Sequence, residues 1–373
     1  RMRNKFGLLI YVLLILNSCS NKSQVSLIES SNFNVGIQNK KVHLFTLRNS
    51  NGMISQITNL GGKVVSLWVV DANGNYEDVV LGFDTAEKYI EAKEKYFGAL
   101  IGRYGNRIAN GTFKLNDSIY SITINNGVNH LHGGLEGYNA VVWDAEQKSE
   151  SKLELTYLSK DGEEGYPGNV LITTVYELKD DNSLAIKYRA TTDKSTPINL
   201  THHSFFNLKG AGKGTINDHL LQINANYFTP INKEIIPTGE IISVQNTPFD
   251  FRRLKSISNG LYNQNEQLEF GSGYDHNFVV NGAGVRTVAK VVEPTSGRVM
   301  EVVSDEPGIQ FYGGNFLSGT KGKNGKTYEY RGAFCLETQH FPNSPNQPNF
   351  PSTILNPGEI YTSICIYKFS TQP

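Results

Sequence analysis

Short runs in which hydrophobic and polar residues alternate dominate the body of the chain. Clear examples are 153–157 and 184–188, and further β-rich runs cover 63–70, 169–178 and 288–303. Alternation with a period of two is typical of strands that bury one face and expose the other. Pairs such as Asn-Gly and Asp-Gly bound several of these runs and favour tight hairpin turns. The pattern therefore predicts many short strands joined by turns, as in a β-sandwich or a β-barrel.

The helical pattern is weak in comparison. Only 85–96 spaces its apolar residues for one or two helical turns, and we find no repeat of fixed period. No low-complexity linker divides the body of the chain, and all-β domains often have this length. We therefore predict a single all-β domain over 33–373.

Composition and charge exclude several classes of protein. The chain has 35 basic and 35 acidic residues, so its formal net charge is zero. This balance argues against a nucleic-acid partner, which would favour a basic surface. With 39% hydrophobic and 11% aromatic residues, the chain has the composition of a folded protein and not of a disordered one.

The start of the chain differs from the rest and resembles a bacterial lipoprotein signal. Three basic residues precede an apolar run at 6–16, and Cys19 follows it closely. The run is too short to span a membrane. We predict a signal peptide at 1–18, lipidation of Cys19 and a polar tether at 19–32, with a buried N-terminal helix as the alternative. A lipid anchor at Cys19, the only membrane contact we expect, would place the protein in the bacterial cell envelope, facing the periplasm.

The remaining cysteines, Cys335 and Cys365, each lie in an apolar run that we predict to be a buried strand. Such thiols are usually inert core residues, although the sequence also allows a disulfide between them. Their spacing does not fit a zinc site.

Histidines form two candidate clusters. On a strand, His130 and His132 would share a face, which is a spacing found in metal sites. His202 and His203 are adjacent, so only one of them can face inward. The glycine pair 133–134 would let a ligand approach the backbone closely. The alternative for each cluster is a core or surface role without a ligand.

Two acidic residues lie in apolar surroundings. Glu337 follows Phe-Cys-Leu, and burial there would raise its pKa and allow it to act as a base near neutral pH. Asp275 lies among aromatic residues, which together with polar groups suit a sugar pocket. A buried salt bridge and a capped strand end, respectively, are the alternatives.

Taken together, these segments resemble the aldose 1-epimerase family, also called galactose mutarotases, over 46–369. The matching motifs are IGRYGNRIA at 101–109, NHLHGG at 129–134, the segment 199–208, GYDHNF at 273–278, EPGIQFY at 306–312 and LETQ at 336–339. The resemblance implies a large antiparallel β-sandwich of the galactose-mutarotase type, the supersandwich. It also implies an isomerase that interconverts the α and β anomers of free aldohexoses such as galactose and glucose.

The resemblance also assigns roles to particular residues. Glu337 corresponds to the general base, His203 to the general acid and His132 to a second active-site histidine. The residues implied as ligands of sugar hydroxyls are Asn106, Arg107, Asp275 and Gln310. His202 should lie outside the substrate contacts, and His130 stands where the family often has a smaller residue.

The expected reaction explains why these residue types are needed. A base removes the proton of the C1 hydroxyl and an acid protonates the ring oxygen, and we expect the two groups on opposite sides. The ring opens to the aldehyde, the C1–C2 bond rotates and the ring closes. No redox step occurs, so no metal or other cofactor is implied.

Three other functions remain open. A non-catalytic sugar-binding module could use the same pocket without turnover, and a metal-dependent hydrolase could use His130, His132 and His203 with a carboxylate. An epimerase for phosphorylated hexoses would need a further basic cluster. The preferred aldose and the oligomeric state also stay open at this point.

Overall fold

The computed structural model describes residues 25–37 and 39–372. The predicted signal peptide 1–18 and the predicted lipidation site Cys19 lie outside these residues. Within the described ranges the chain forms thirty mostly short strands and two short α-helices. None of the helices in these ranges is long and apolar enough to cross a membrane.

The bounds of all elements follow in chain order. The strands are β1 Gly36–Ile37, β2 Lys40–Lys41, β3 Leu44–Arg48, β4 Ile54–Thr58, β5 Val64–Val70, β6 Tyr76–Asp78, β7 Ala99–Ile101, β8 Arg107–Ile108, β9 Thr112–Leu115, β10 Ser118–Ser121, β11 His130–Leu131, β12 Asp144–Ser149, β13 Lys152–Ser159, β14 Val170–Lys179, β15 Ser183–Thr192, β16 Thr196–Pro197, β17 Thr201–His203, β18 Leu220–Ile223, β19 Ala225–Phe228, β20 Ile242–Ser243, β21 Lys255–Ser256, β22 Asp275–Val280, β23 Arg286–Val292, β24 Arg298–Ser304, β25 Gly308–Tyr312, β26 Thr320–Lys321, β27 Thr327–Tyr328, β28 Cys335–Gln339, β29 Ile354–Leu355 and β30 Tyr361–Thr371. The α-helices are α1 Ala86–Glu91 and α2 Glu266–Phe270, and the short 3-10 helices are Ser30–Phe33, Ala109–Gly111, Glu163–Gly165, Lys323–Gly325 and Ser344–Asn346.

The largest sheet has nine strands in the order β12-β13-β14-β15-β30-β24-β23-β18-β21. Every neighbouring pair is antiparallel. The alternating runs of the sequence form its long strands, and along β14 every second residue is buried. The run 288–303 divides into the hairpin of β23 and β24. The strand predictions for these runs are therefore confirmed.

A five-stranded antiparallel sheet, β20-β19-β22-β25-β28, shares one hydrophobic core with the large sheet. Ile172 and Ile186 enter this core from the large sheet, and Phe278, Ile309 and Leu336 enter it from the five-stranded sheet. The four-stranded sheet β3-β4-β5-β6 also contributes to it. β5 does not alternate because nearly all of its residues are buried. The predicted antiparallel β-sandwich is thus confirmed.

The two helices differ in how well the sequence predicted them. α1 lies within the predicted segment 85–96, and the Thr85 hydroxyl caps it by accepting a hydrogen bond from the Lys88 backbone N–H at 3.2 Å. α2 was not predicted, because its five residues are too few to show a helical period. The Asn265 side chain caps it in the same way.

The end of the predicted tether is already attached to the domain. Ile28 and the Gln56 side chain exchange two hydrogen bonds of 2.9 and 2.8 Å. Asn32 donates to the Asp84 carbonyl at 3.2 Å, and Phe33 is buried. Contacts with the domain are therefore already present at Ile28, within the segment predicted to be the tether.

Cys335 and Cys365 lie on β28 and β30, as predicted, and both are buried free thiols. The sequence allowed either buried free thiols or a disulfide, and the structure contains the free thiols. Burial raises the pKa of the Cys365 thiol to about 11, which keeps it protonated and unreactive.

Candidate active site

Three neighbouring strands position the acidic side of the site. β22, β25 and β28 carry Asp275, Gln310 and Glu337, and Gln310 lies directly opposite Glu337 in the register. Residues opposite each other on neighbouring strands project on the same face of the sheet. The Gln310 amide donates to Asp275 Oδ1 at 2.7 Å. The pairing of the sheet thus brings together three residues that are far apart in sequence.

His203 reaches the same place from β17, which pairs with β7. Its Nε2 lies 3.6 Å from Glu337 Oε1. The ring stacks between two aromatic side chains, with ring centroids 5.7 Å from Tyr96 and 4.9 Å from Phe205. These contacts fix the orientation of the imidazole toward the carboxylate.

His202 faces the other way, as predicted. Its Nε2 lies 2.7 Å from the Ser204 hydroxyl, and its Nδ1 lies 3.4 Å from the hydroxyl of Tyr176 on β14. Adjacent residues of a strand point to opposite faces. His202 therefore belongs to the packed interior, and His203 belongs to the site.

His132 is held by the backbone of Asn106. The His132 N–H donates to the Asn106 carbonyl at 3.0 Å, and the Asn106 N–H donates to His132 Nδ1 at 3.1 Å. Burial, His203 and Arg107 all lower the pKa of His132 well below its usual value. A neutral ring whose Nδ1 accepts a hydrogen bond carries its proton on Nε2. His132 therefore acts as a hydrogen-bond donor at Nε2.

This arrangement bears on the metal-site interpretation. His132, His203 and Glu337 each have a ligand atom within 4.8 Å of the other two, which is close enough to surround a cation. A histidine that binds a metal usually donates its other N–H to a neighbour. The hydrogen bond onto His132 Nδ1 runs in the opposite direction, so the local bonding favours donation to a sugar hydroxyl.

His130 does not share a face with His132, so the strand geometry expected for this pair is not formed. β11 ends at Leu131, and His132 turns away with a φ of 52°. The two ring nitrogens of His130 lie 2.6 Å from the Thr123 carbonyl and 2.6 Å from the Tyr166 hydroxyl. His130 is thus a buried structural residue.

The packing of the backbone requires glycine at both positions of the pair 133–134. A Cβ on Gly133 would lie 1.9 Å from the Gly102 carbonyl oxygen, and one on Gly134 would lie 2.0 Å from a Glu164 carboxylate oxygen. Both glycines have a positive φ, of 88° and 103°. Close approach at this pair is thus made by the Gly102 carbonyl and the Glu164 carboxylate, and the approach of a ligand stays a prediction.

Arg107 supplies the positive charge of the site. Its Nε donates to Asn126 Oδ1 at 3.1 Å, and its backbone N–H donates to Asn106 Oδ1 at 2.9 Å. Its charge favours the ionised forms of Asp275 and Glu337, although burial raises the pKa of both carboxyl groups. Arg107 thereby reduces the cost of placing two acidic groups in one buried cavity.

The pKa shifts of Glu337 and His203 run in opposite directions. Burial, with a contribution from Asp275, raises the pKa of Glu337 well above its usual range. Burial lowers the pKa of His203 to about 3. Both shifts disfavour the charged forms and therefore favour the state in which the pair carries one proton, with Glu337 and His203 both neutral.

These residues surround a cavity of about 300 Å³. Six of the seven predicted site residues line it, namely Asn106, Arg107, His132, His203, Asp275 and Glu337. Gln310 is next to these residues and donates to Asp275 Oδ1, so it positions that carboxylate. The lining residues that the sequence did not predict are Glu94, Tyr96, Asn126, Leu131, Phe205, Ile235, Tyr312 and Phe316.

Glu94 is the most informative of the residues that were missed. Its Oε1 accepts a hydrogen bond from the Tyr96 N–H at 3.0 Å, and burial raises its pKa to about 7. In the sequence it lies between Lys93 and Lys95, a pattern typical of an exposed surface. Nothing in the local sequence distinguishes Glu94 from an exposed surface residue.

An all-β supersandwich with a buried carboxyl–imidazole pair in a polar cavity of this size defines an acid–base enzyme for a small substrate. Comparison with known proteins makes this class specific. A sequence profile of the family described as "Aldose 1-epimerase" matches residues 43–368. The chain belongs to this family.

Individual relatives match this chain over most of its length. The galactose mutarotase of Bos taurus is 46% identical over 316 residues, which are 84% of this chain and 90% of that protein. The aldose 1-epimerase of Escherichia coli is 36% identical, with 87% and 94% coverage. Among solved structures, galactose 1-epimerase from Lactobacillus acidophilus superimposes with a TM-score of 0.81 at 28% identity, covering 91% of this chain and 97% of that one.

Proposed function

We propose that this protein is an aldose 1-epimerase that interconverts the α and β anomers of free aldohexoses such as galactose and glucose. The observation that carries the proposal is the distance of 3.6 Å between Glu337 Oε1 and His203 Nε2 in a cavity lined by hydrogen-bonding groups. Relatives named galactose mutarotase and aldose 1-epimerase support the same reaction.

In the proposed mechanism Glu337 and His203 move the two protons. Ionised Glu337 removes the proton of the C1 hydroxyl while the C1–O5 bond breaks, and protonated His203 delivers its proton to the ring oxygen O5. The product is the open-chain aldehyde. After rotation about C1–C2, the two groups reverse their roles and close the ring on the other face of the carbonyl.

The expectation that the base and the acid lie on opposite sides does not hold. Glu337 and His203 are neighbours, 3.6 Å apart. Neighbouring positions still suit the reaction, because O1 and O5 are bonded to the same carbon. The proton that the pair shares is also the one the mechanism needs, since its transfer from Glu337 to His203 creates the active base and acid together.

The other polar groups suit the sugar. His132 Nε2 is placed to donate a hydrogen bond, and Asp275 and Asn106 offer polar groups to hydroxyls. Arg107 stays charged and therefore orients the substrate or stabilises negative charge without moving protons. The reaction transfers only protons, so its chemistry requires no redox cofactor.

Polarimetry tests the proposed function. Freshly dissolved α-galactose and α-glucose should reach their equilibrium rotation far faster with the purified protein than in buffer alone, and a chelator should not change the rate. A sugar-binding module would bind the sugars without accelerating the change. A hydrolase-like site would lose its activity with chelator and regain it with zinc.

We also propose that the protein is attached to the bacterial cell envelope through a lipid on Cys19, facing the periplasm. The basic residues, the apolar run 6–16 and the cysteine that follows support this. The Cys19→Ala variant should move from the membrane fraction to the soluble fraction. Unchanged association with the membrane would contradict an anchor at Cys19.

A further inference from the structure

A second cavity, of about 280 Å³, lies next to the active site. The segment after α1 separates the two cavities. Lys95 lines the second cavity, whereas its neighbours Glu94 and Tyr96 line the active site. Lys63, Tyr89 and a short loop that contains Asn139 form the inner wall.

Lys63, the residue before β5, is the unusual feature of this cavity. Its side chain is buried, with the residue 2% exposed, and its Nζ donates to the Asn139 carbonyl and lies 5.6 Å from the ring centroid of Tyr89. An ammonium group has three N–H donors. Among the described residues only the Asn139 carbonyl accepts one of them.

The charge of Lys63 is also uncompensated in the described part of the chain. It forms no salt bridge there, and the charge that acts on it is that of another cation, Lys95. Burial and Lys95 together lower the pKa of Lys63 to about 7. The carboxylate that does line the cavity, Glu136, is exposed and lies outside salt-bridge distance.

A second buried lysine shows how the same fold satisfies such a group fully. Lys323 Nζ donates to Asp78 Oδ2 at 2.5 Å and to the carbonyls of Val65 and Val80 at 2.6 and 2.8 Å. Its three donors and its charge are therefore matched by protein groups. Lys63 has one such acceptor where Lys323 has three, it has no counter-charge in the described part of the chain, and it borders a cavity.

We propose that the second cavity binds a small oxyanion, a carboxylate or a phosphate, that accepts hydrogen bonds from Lys63 Nζ. In its protonated form Lys63 supplies the charge and the two remaining donors, the bound anion favours that form, and Lys95 at the opening adds attraction. Apolar residues on the walls, such as Leu60 and Ile90, limit the site to a small ligand. This site does not depend on the proposed epimerase reaction.

Thermal unfolding of the purified protein tests the proposal. Sodium phosphate and sodium acetate are titrated separately at constant ionic strength, with sodium chloride as the balance. A ligand that binds only the folded state raises Tm in a saturable way. We expect such a rise for at least one of the two anions, and which of them saturates identifies the preferred oxyanion.

Variants assign the effect to the cavity. Lys63→Met keeps the length of the side chain and removes the charge, so it should weaken the apparent affinity at least tenfold. Lys95→Met should weaken it less, and Lys114→Met, at an exposed residue of β9, should leave it unchanged. Calorimetric titration of the unmodified protein with the same anions provides a second measurement, should Lys63→Met fail to fold.

Two results would overturn the proposal. One is the absence of any saturable effect of phosphate or acetate on the unmodified protein, in unfolding and in calorimetry. The other is an equal effect in Lys63→Met, or in Lys95→Met if Lys63→Met does not fold, because the anion would then bind elsewhere.

Discussion

Replacing Glu337 with Gln separates the catalytic role of this residue from its structural role. The amide keeps the size of the side chain but cannot take the proton of the C1 hydroxyl. General acid–base catalysis contributes roughly 10²–10⁴-fold to a rate, or about 3–5 kcal/mol of activation free energy. We therefore expect kcat to fall by about this factor while KM changes little.

The same substitution should not destabilise the protein. Glu337 is 2% exposed, and its Oε2 has no hydrogen-bond partner among the described residues. Its pKa in the folded protein lies above the ordinary value of 4.5, so the stability it contributes is present below pH 4.5 and is lost as pH rises. At a pH above the pKa of the folded state, each unit by which folding raises this pKa lowers the free energy of unfolding by about 1.4 kcal/mol.

Polarimetry and calorimetric unfolding at pH 4.5 and pH 8 measure both effects. The difference in Tm between Glu337→Gln and the unmodified protein should shift in favour of the variant when the pH rises from 4.5 to 8. Only the unmodified protein loses stability over this range, because its Glu337 ionises. Glu150→Gln, at an exposed carboxylate, serves as the control and should change neither quantity.

Two outcomes would refute the reasoning. Unchanged kcat in Glu337→Gln would remove this residue from the role of base. A loss of activity together with a large decrease of Tm at both pH values would show that the carboxylate is needed for folding.

Further substitutions and pH changes test the remaining groups of the site. His203→Asn should lower kcat by roughly 10²–10⁴-fold. His202→Asn should leave kcat nearly unchanged and should lower the stability of the protein, because the buried hydrogen bonds of His202 are lost. The reverse result would assign the role of general acid to His202. The pH profile of kcat/KM should be bell-shaped. Its acid limb should lie below the ordinary histidine pKa of 6.5 and its alkaline limb above the ordinary glutamate pKa of 4.5. A single sigmoid would contradict a pair that shares one proton. Glu94, with a pKa of about 7, should disfavour anionic hexoses such as glucuronate increasingly between pH 6 and pH 8. Glu94→Gln should remove this pH dependence of the ratio of kcat/KM values for glucose and glucuronate, and a persisting dependence would exclude Glu94 as its cause.

The parts of the fold that follow from local pattern were predictable from the sequence. The long strands of the nine-stranded sheet alternate between buried and partly exposed residues, and this alternation is visible in 169–178. The separation of His203 from His202 follows from strand geometry alone. Glu337 was recognisable because it stands among apolar residues on a strand that is buried throughout.

Features that depend on the local backbone or on distant contacts were not predictable. The expected pairing of His130 with His132 failed because β11 ends one residue earlier and His132 adopts a positive φ. The glycine pair 133–134 is explained by the approach of the Gly102 carbonyl and of a carboxylate 30 residues further along. Lys63 lies in an ordinary strand sequence, and only the assembled sheets show that it is buried.

The central claim is that the Glu337–His203 pair exchanges the anomers of a free aldose. The most direct measurement is magnetisation transfer between the α and β anomeric protons of galactose in an equilibrated NMR sample. We expect rapid transfer with the unmodified protein and only the background rate with Glu337→Gln. Background exchange with the unmodified protein, or equal exchange with the variant, would contradict the claim.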